Sequence, residues 1–101
     1  MTETRPYDSA EFLDTDEAVA EYLAAAVEEG DAALFSHALG VVARTRGMTQ
    51  IAREAGLSRE SLYRALSPEG NPSLDTAMRV MKALNVRLTT APAGSGQAVS
   101  G

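Results

Sequence analysis

Residues 48 to 66 read Met48-Thr49-Gln50-Ile51-Ala52-Arg53-Glu54-Ala55-Gly56-Leu57-Ser58-Arg59-Glu60-Ser61-Leu62-Tyr63-Arg64-Ala65-Leu66, and this stretch decides the fold. It predicts a short helix from Thr49 to Ala55, with Thr49 as its cap, and a second that Ser58 caps and that runs to Leu66. Gly56 between them supplies the positive φ that a tight turn demands. Ala52 is small where the second helix must cross close to the first. Ile51, Ala55, Leu57, Leu62 and Ala65 form one apolar set that clamps the pair onto the rest of the domain. Two short helices sharing such a turn make a helix-turn-helix.

Assigning those positions to the inside fixes the outside. On a 3.6-residue period Arg59, Glu60, Tyr63 and Arg64 point outward, with Ser58 and Ser67 at the ends of the helix. These residue types suit the edges of a DNA duplex. Arginine pairs in bidentate fashion with guanine O6 and N7, and glutamate accepts from cytosine N4. Tyr63 can pack on a thymine methyl or reach a phosphate through its hydroxyl. Ser58 leaves a helix N-terminus facing outward, where backbone amides favour phosphate. Thr49 and Gln50 open the preceding helix, a position suited to backbone contacts, and Arg44, Arg46 and Arg53 add phosphate contacts.

Outward from this core the chain reads as further helices. Asp14 and Glu17 have the spacing of a capping box, opening a helix from about 15 to 29 with Ala18, Val19, Tyr22, Leu23, Ala26 and Val27 on its buried stripe. Gly30 ends it. Asp31 caps the next, to about Arg46, with Leu34, Phe35, Ala38, Leu39 and Val42 inward, and Gly47 stops that one. Ser67 to Pro72 is dense in turn formers and forms a loop. Ser73 caps a last helix to about Leu84, with Leu74, Ala77, Met78, Met81 and Leu84 inward. Val86 to Thr90 alternates as a short strand would. The expectation is an all-α fold of five helices: an extended arm over 1–13, a helix-turn-helix domain over 14–90 and a flexible tail over 91–101.

Composition sets the bounds on function. With 101 residues and 45% hydrophobic content the chain holds one small core, and with 5% aromatics that core is built from Ala, Leu, Val and Met. No cysteine is present, so disulfides, thiolate metal sites and cysteine nucleophiles are excluded together. No apolar run approaches the ~18 residues of a membrane span, and Met1 to Pro6 lacks the regions of a signal peptide. A cytoplasmic protein with no membrane contact is expected. The net charge of −5 conceals a segregation. Residues 1 to 31 hold ten acids against Arg5 alone, a net −9, while residues 32 to 101 hold eight bases against Glu54, Glu60, Glu69 and Asp75, a net +4. Two surfaces with different partners follow: an acidic one that repels phosphate and attracts a basic protein, or else simply keeps the chain soluble, and a basic one that suits nucleic acid.

The run from Gly47 to Leu74, and within it Leu62-Tyr63-Arg64-Ala65-Leu66-Ser67-Pro68-Glu69-Gly70-Asn71-Pro72, resembles the bacterial addiction-module antidotes, HigA-like antitoxins with an Xre/Cro-type helix-turn-helix encoded beside a RelE/ParE-like toxin. Glu28 to Phe35 and the arm from Tyr7-Asp8 to Asp14 are similar to it too, so the likeness spans roughly residues 7 to 90. It implies a homodimer that binds palindromic operator DNA as a transcriptional repressor and neutralises the toxin. It further implies Ser58, Arg59, Glu60, Tyr63 and Arg64 as recognition residues, with Thr49 and Gln50 as backbone contacts.

Other residues carry less. His37 stands at the flank of an apolar stripe with no second histidine and no cysteine, which leaves no metal cluster. Asp14, Asp16 and Glu17 lack the ligand spacing and turn glycine of a calcium loop. Met78 and Met81 read as core filler, and Ser67-Pro68 as a turn without a base to make a nucleophile. No catalytic residue, metal or cofactor is expected. The competing reading is a protein-interaction module that uses a helix-turn-helix scaffold without specific DNA binding, its acidic helix holding a basic partner. A dimer is expected to pair through Val86 to Thr90, supported by the helix ending at Leu84.

Overall fold

The computed structural model describes residues 13–93 and contains five helices, α1 (Asp16–Glu28), α2 (Ala32–Arg46), α3 (Met48–Ala55), α4 (Arg59–Ala65) and α5 (Leu74–Ala83). The expected arm, apart from Leu13, and most of the expected tail lie outside the described residues. α1 packs on α2, α2 on α3 and α5, and α3 on both α4 and α5. α4 is therefore held chiefly through α3, and α1 chiefly through α2. Among the described residues no helix is long and apolar enough to cross a membrane.

One core runs through all five helices. Leu13, Val19, Leu39, Val42, Leu62, Val80 and Leu84 are almost wholly enclosed, with Leu23, Ile51, Leu66 and Met81 beside them. Leu13 therefore belongs to the packed domain. Ala52 is buried where α3 meets its neighbours, as its size requires, and Ala55 and Leu62 join it. Leu57 and Ala65 are half-buried.

The helix ends follow capping chemistry, with two corrections. Asp31, Ser58 and Ser73 cap as expected: the Ala33 amide donates to Asp31 at 2.9 Å, Ser61 to Ser58 at 2.9 Å and Thr76 to Ser73 at 3.0 Å. The first helix, however, is capped by Thr15 and not Asp14: the Ala18 amide donates to Thr15 Oγ1 at 3.0 Å, and Thr15 is extended. Val19, Leu23 and Ala26 are buried as the expected stripe requires, and Asp16 and Glu17 lie in the first turn, where the helix dipole favours acids. Nor is Thr49 a cap. Gly47 alone separates α2 from α3, with φ 109°, and α3 begins at Met48 without any side-chain cap. Gly56 does take the left-handed conformation, at φ 75°, and the Leu57 amide closes the turn on the Ala52 carbonyl at 2.8 Å.

α5 differs most from expectation. Its buried residues are Ala77, Val80 and Met81, followed by Leu84, while Leu74 is 67% exposed and Met78 48% exposed. The helix is turned so that β-branched Val80, and not Met78, fills the core. Val27 and Leu34, also expected inward, are exposed in large part at the ends of α1 and α2. Beyond α5 there is no strand among the described residues. Asn85 is left-handed at φ 65°, and the amides of Asn85 and Val86 return to the carbonyls of Lys82 and Met81, each at 3.0 Å. That is a Schellman cap, and it spends the Val86 amide on the helix end, leaving the alternating segment after it without a ladder.

Candidate nucleic-acid interface

The turn at Gly56 sets the relative orientation of α3 and α4, and with it the side chains that each presents outward. α3 is held by Met48, Ile51, Ala52 and Ala55 against the core, so its other face, with Thr49, Gln50, Arg53 and Glu54, is exposed. α4 has only Leu62 fully buried, and Arg59, Glu60, Tyr63 and Arg64 are all exposed, as the 3.6-residue period requires.

Between the C-terminal end of α2 and the outer faces of α3 and α4 lies an open groove of about 670 Å³. Arg44, Arg46, Arg53 and Arg59 line it with Thr49, Gln50 and Tyr63, and Glu54 is the one acid on its wall. Four arginines against one acid on this wall make the groove locally basic in a chain of net negative charge, with Arg46 paired to Asp16 and Arg44, Arg53 and Arg59 supplying the balance. The groove thus gathers Thr49, Gln50, Arg59 and Tyr63. Ser58, Glu60 and Arg64 stay outside its lining, at the start and on the flank of α4.

Neighbouring side chains hold several of these groups in place. Arg59 donates to Tyr63 Oη at 3.3 Å, its guanidinium carbon 5.2 Å from the ring centroid. The contact extends the guanidinium along the helix and keeps the charge, because tyrosine is neutral. Arg64 pairs with Glu60 at 3.6 Å, one turn apart, and both are strongly exposed, so water screens the pair and either side chain is free to exchange it for another partner. Ser58 has committed its hydroxyl to the helix: it accepts from the Ser61 amide and donates to Ser61 Oγ at 2.8 Å. Its contribution to the surface is the orientation of α4.

Two features were missed in the sequence. Glu54 faces the groove and accepts from Gln50 Nε2 at 3.2 Å, so Gln50 and Glu54 act as one unit one turn apart. The i, i+4 spacing was the available signal. Arg46 is tied at 3.5 Å to Asp16, whose other oxygen accepts from Asn85 Nδ2 at 2.6 Å. This clasp joins the start of α1 to the ends of α2 and α5 across 30 and 69 residues of chain, and no local pattern announces it. Among the described residues no cluster of His, Cys, Asp or Glu could hold a metal.

Comparison with known proteins adds the family. The model of a family described as probable addiction module antidote protein matches residues 3–92. An uncharacterized protein of Haemophilus influenzae is 50% identical over 88 residues, which cover 86% of this chain and 91% of that protein. No solved structure matches the chain.

Proposed function

The chain belongs to the probable addiction module antidote proteins, and from that premise we propose that it is the antitoxin of a toxin–antitoxin module which binds operator DNA as a dimeric repressor and neutralises a RelE/ParE-like toxin. The observation that carries the DNA-binding part is the arginine-lined groove beside an outward-facing helix-turn-helix. In this reading α4 enters the major groove in an Xre/Cro-like manner. Arg59 and Arg64 reach guanine edges, Glu60 reaches cytosine N4 and Tyr63 a thymine methyl or a phosphate. Thr49, Gln50, Arg44 and Arg53 contact the phosphates on either side. Ser58 holds the N-terminus of α4 toward the duplex. Dimerisation supplies two such units, and a spacing of ~34 Å between them matches successive half-sites of a palindrome.

The toxin engages the other surface. Glu17, Glu21 and Glu28 are exposed on the outer side of α1, remote in sequence from the arginines and opposite to them in sign. Such a face steers a basic protein into contact and repels DNA phosphate, so the two partners are sorted by charge.

Co-expression with the product of the neighbouring open reading frame tests the antitoxin role. Growth inhibition by that product alone, its relief by the chain, and co-purification of the two are the expected results. Reversing the charges of Glu17, Glu21 and Glu28 should slow toxin association and leave duplex affinity unchanged. Failure of the chain to bind or neutralise the neighbouring product would refute the reading, and charge reversals without effect would reduce the acidic face to a solubility device.

A further inference from the structure

Arg46 is the least exposed of the four arginines that line the groove. Arg44, Arg53 and Arg59 are open to solvent, whereas the Arg46 side chain keeps 27% of its accessible surface and stands 3.5 Å from the Asp16 carboxylate. That carboxylate is itself tethered. Its other oxygen accepts from Asn85 Nδ2 at 2.6 Å, and its backbone lies in the first turn of α1, directly after the Thr15 cap. The Arg64 and Glu60 pair is a contrast, because both partners stand on α4, are strongly exposed and part easily. Asp16 and Arg46 come from different helices, and the end of α5 holds the acid on its far side.

The consequence falls on the sequence-independent grip. A cation that neutralises a phosphate releases condensed counterions, and this release supplies most of the affinity for any duplex. A guanidinium already matched by a carboxylate brings no net charge to the phosphate, and the carboxylate repels it. We propose that Asp16 is a positioning residue of the interface, a built-in competitor that withholds Arg46 from the phosphates. The groove then grips any duplex through Arg44, Arg53 and Arg59. Arg46, expected to add a phosphate contact, adds none while Asp16 holds it. A residue of α1, the element that carries the exposed acids Glu17, Glu21 and Glu28, thereby sets the grip of a groove built from α2, α3 and α4. Glu54 differs: it stands on the groove wall bonded to Gln50 and lowers the potential of the whole groove, while Asp16 acts through one arginine. The inference rests on the duplex-binding reading above and adds to it the regulation of its electrostatic part.

Fluorescence anisotropy of the full chain over a salt series, against a duplex from its own upstream region and a scrambled duplex, tests it in a double-mutant cycle. The proteins are wild type, Asp16→Asn, Arg46→Gln and the double variant, with far-UV circular dichroism as the check on folding. Asparagine keeps an acceptor for Asn85 and removes only the charge. Asp16→Asn should tighten binding to both duplexes by about 3- to 10-fold near ~0.1 M salt and steepen the log–log salt slope by about 0.9, the value of one further phosphate. In the Arg46→Gln background the same substitution should change affinity by less than about 2-fold and leave the slope unchanged. That dependence on Arg46 is what neither a merely structural role nor the remote charge of Asp16 produces. Wild-type affinity and slope in Asp16→Asn, or a gain of equal size in the Arg46→Gln background, would overturn the proposal. The two readings fail separately. Equal affinity of wild type for the two duplexes refutes the operator reading, and the cycle is still read on either duplex. A wild type that prefers its operator, with no change on Asp16→Asn, refutes this inference alone. Absence of binding to either duplex overturns both.

Discussion

Gly70 closes the loop after α4 by lying directly against the helix end, and replacing it with alanine should be disproportionately costly. A Cβ there would run into the backbone carbonyl oxygens of Arg64 and Ala65. These are last-turn carbonyls, without donors of their own inside the helix. The loop supplies some: Ser67 Oγ donates to the Arg64 carbonyl at 2.9 Å, and the Gly70 amide returns to Ser67 at 2.8 Å. The obstructing atoms are main chain and cannot rotate away, so either the loop or the last turn of α4 must move. Overpacking of this kind costs about 1–3 kcal/mol. For a domain of this size about 2 kcal/mol lowers the melting temperature by roughly 8–16 °C. Gly56→Ala is the internal comparison. Its penalty is the left-handed backbone, about 1–2 kcal/mol, because its only near neighbour is the flexible end of Arg79, which yields. Thermal and urea unfolding followed by circular dichroism should therefore place Gly70→Ala at or below Gly56→Ala. A Gly70→Ala protein melting within about 2 °C of wild type would refute the reasoning, since it would mean the loop does not press on the helix end.

Three further expectations follow from single residues. Ser36 is buried and its hydroxyl has no hydrogen-bond partner among the described residues, so Ser36→Ala should stabilise the domain by about 1 kcal/mol, read as a raised melting temperature. Glu54 is the acid on the wall of the arginine groove. Glu54→Gln should tighten binding to any duplex by about 3- to 10-fold at low salt in a fluorescence anisotropy titration, with the gain fading as salt rises. Asp16 joins Arg46 and Asn85 from a half-exposed position, so Asp16→Ala should cost no more than about 1 kcal/mol in urea unfolding.

The short helices α3 and α4 and the turn between them were legible because independent local signals coincide there. The Ser58 cap, the left-handed Gly56, the small Ala52 and the apolar Ile51, Ala55 and Leu62 each place the same boundary and the same inner face, and the outward set Arg59, Glu60, Tyr63 and Arg64 then follows by period. The cap and span of α5 were legible but its inner face was not fully so, because two stripes overlap there. Leu74, Ala77, Met78 and Met81 satisfy a helical period as well as Ala77, Val80, Met81 and Leu84 do. Packing against α3 and α2 chooses between them. At the start of α1 Asp14 and Thr15 are adjacent residues of capping type, and only the backbone, extended at Thr15 with its hydroxyl accepting from the Ala18 amide, distinguishes them. Val86 to Thr90 has the alternation of a strand, but Asn85 turns the backbone and Val86 donates to α5 instead. The Asp16, Arg46 and Asn85 clasp joins residues far apart in the chain, which is outside the reach of any local pattern.

Whether the outer face of α3 and α4 reads a specific operator is decided by a salt titration of the purified chain against a duplex from its own upstream region, beside a scrambled duplex and with Arg59→Ala and Arg64→Ala in parallel. Tight binding to the first duplex and weak binding to the second are expected, with a steep log–log salt slope. Each alanine variant should lose about 1–3 kcal/mol on the specific duplex alone. Weak and equal binding of wild type and both variants to both duplexes would contradict operator reading, and would leave the arginine groove as ordinary solvated surface.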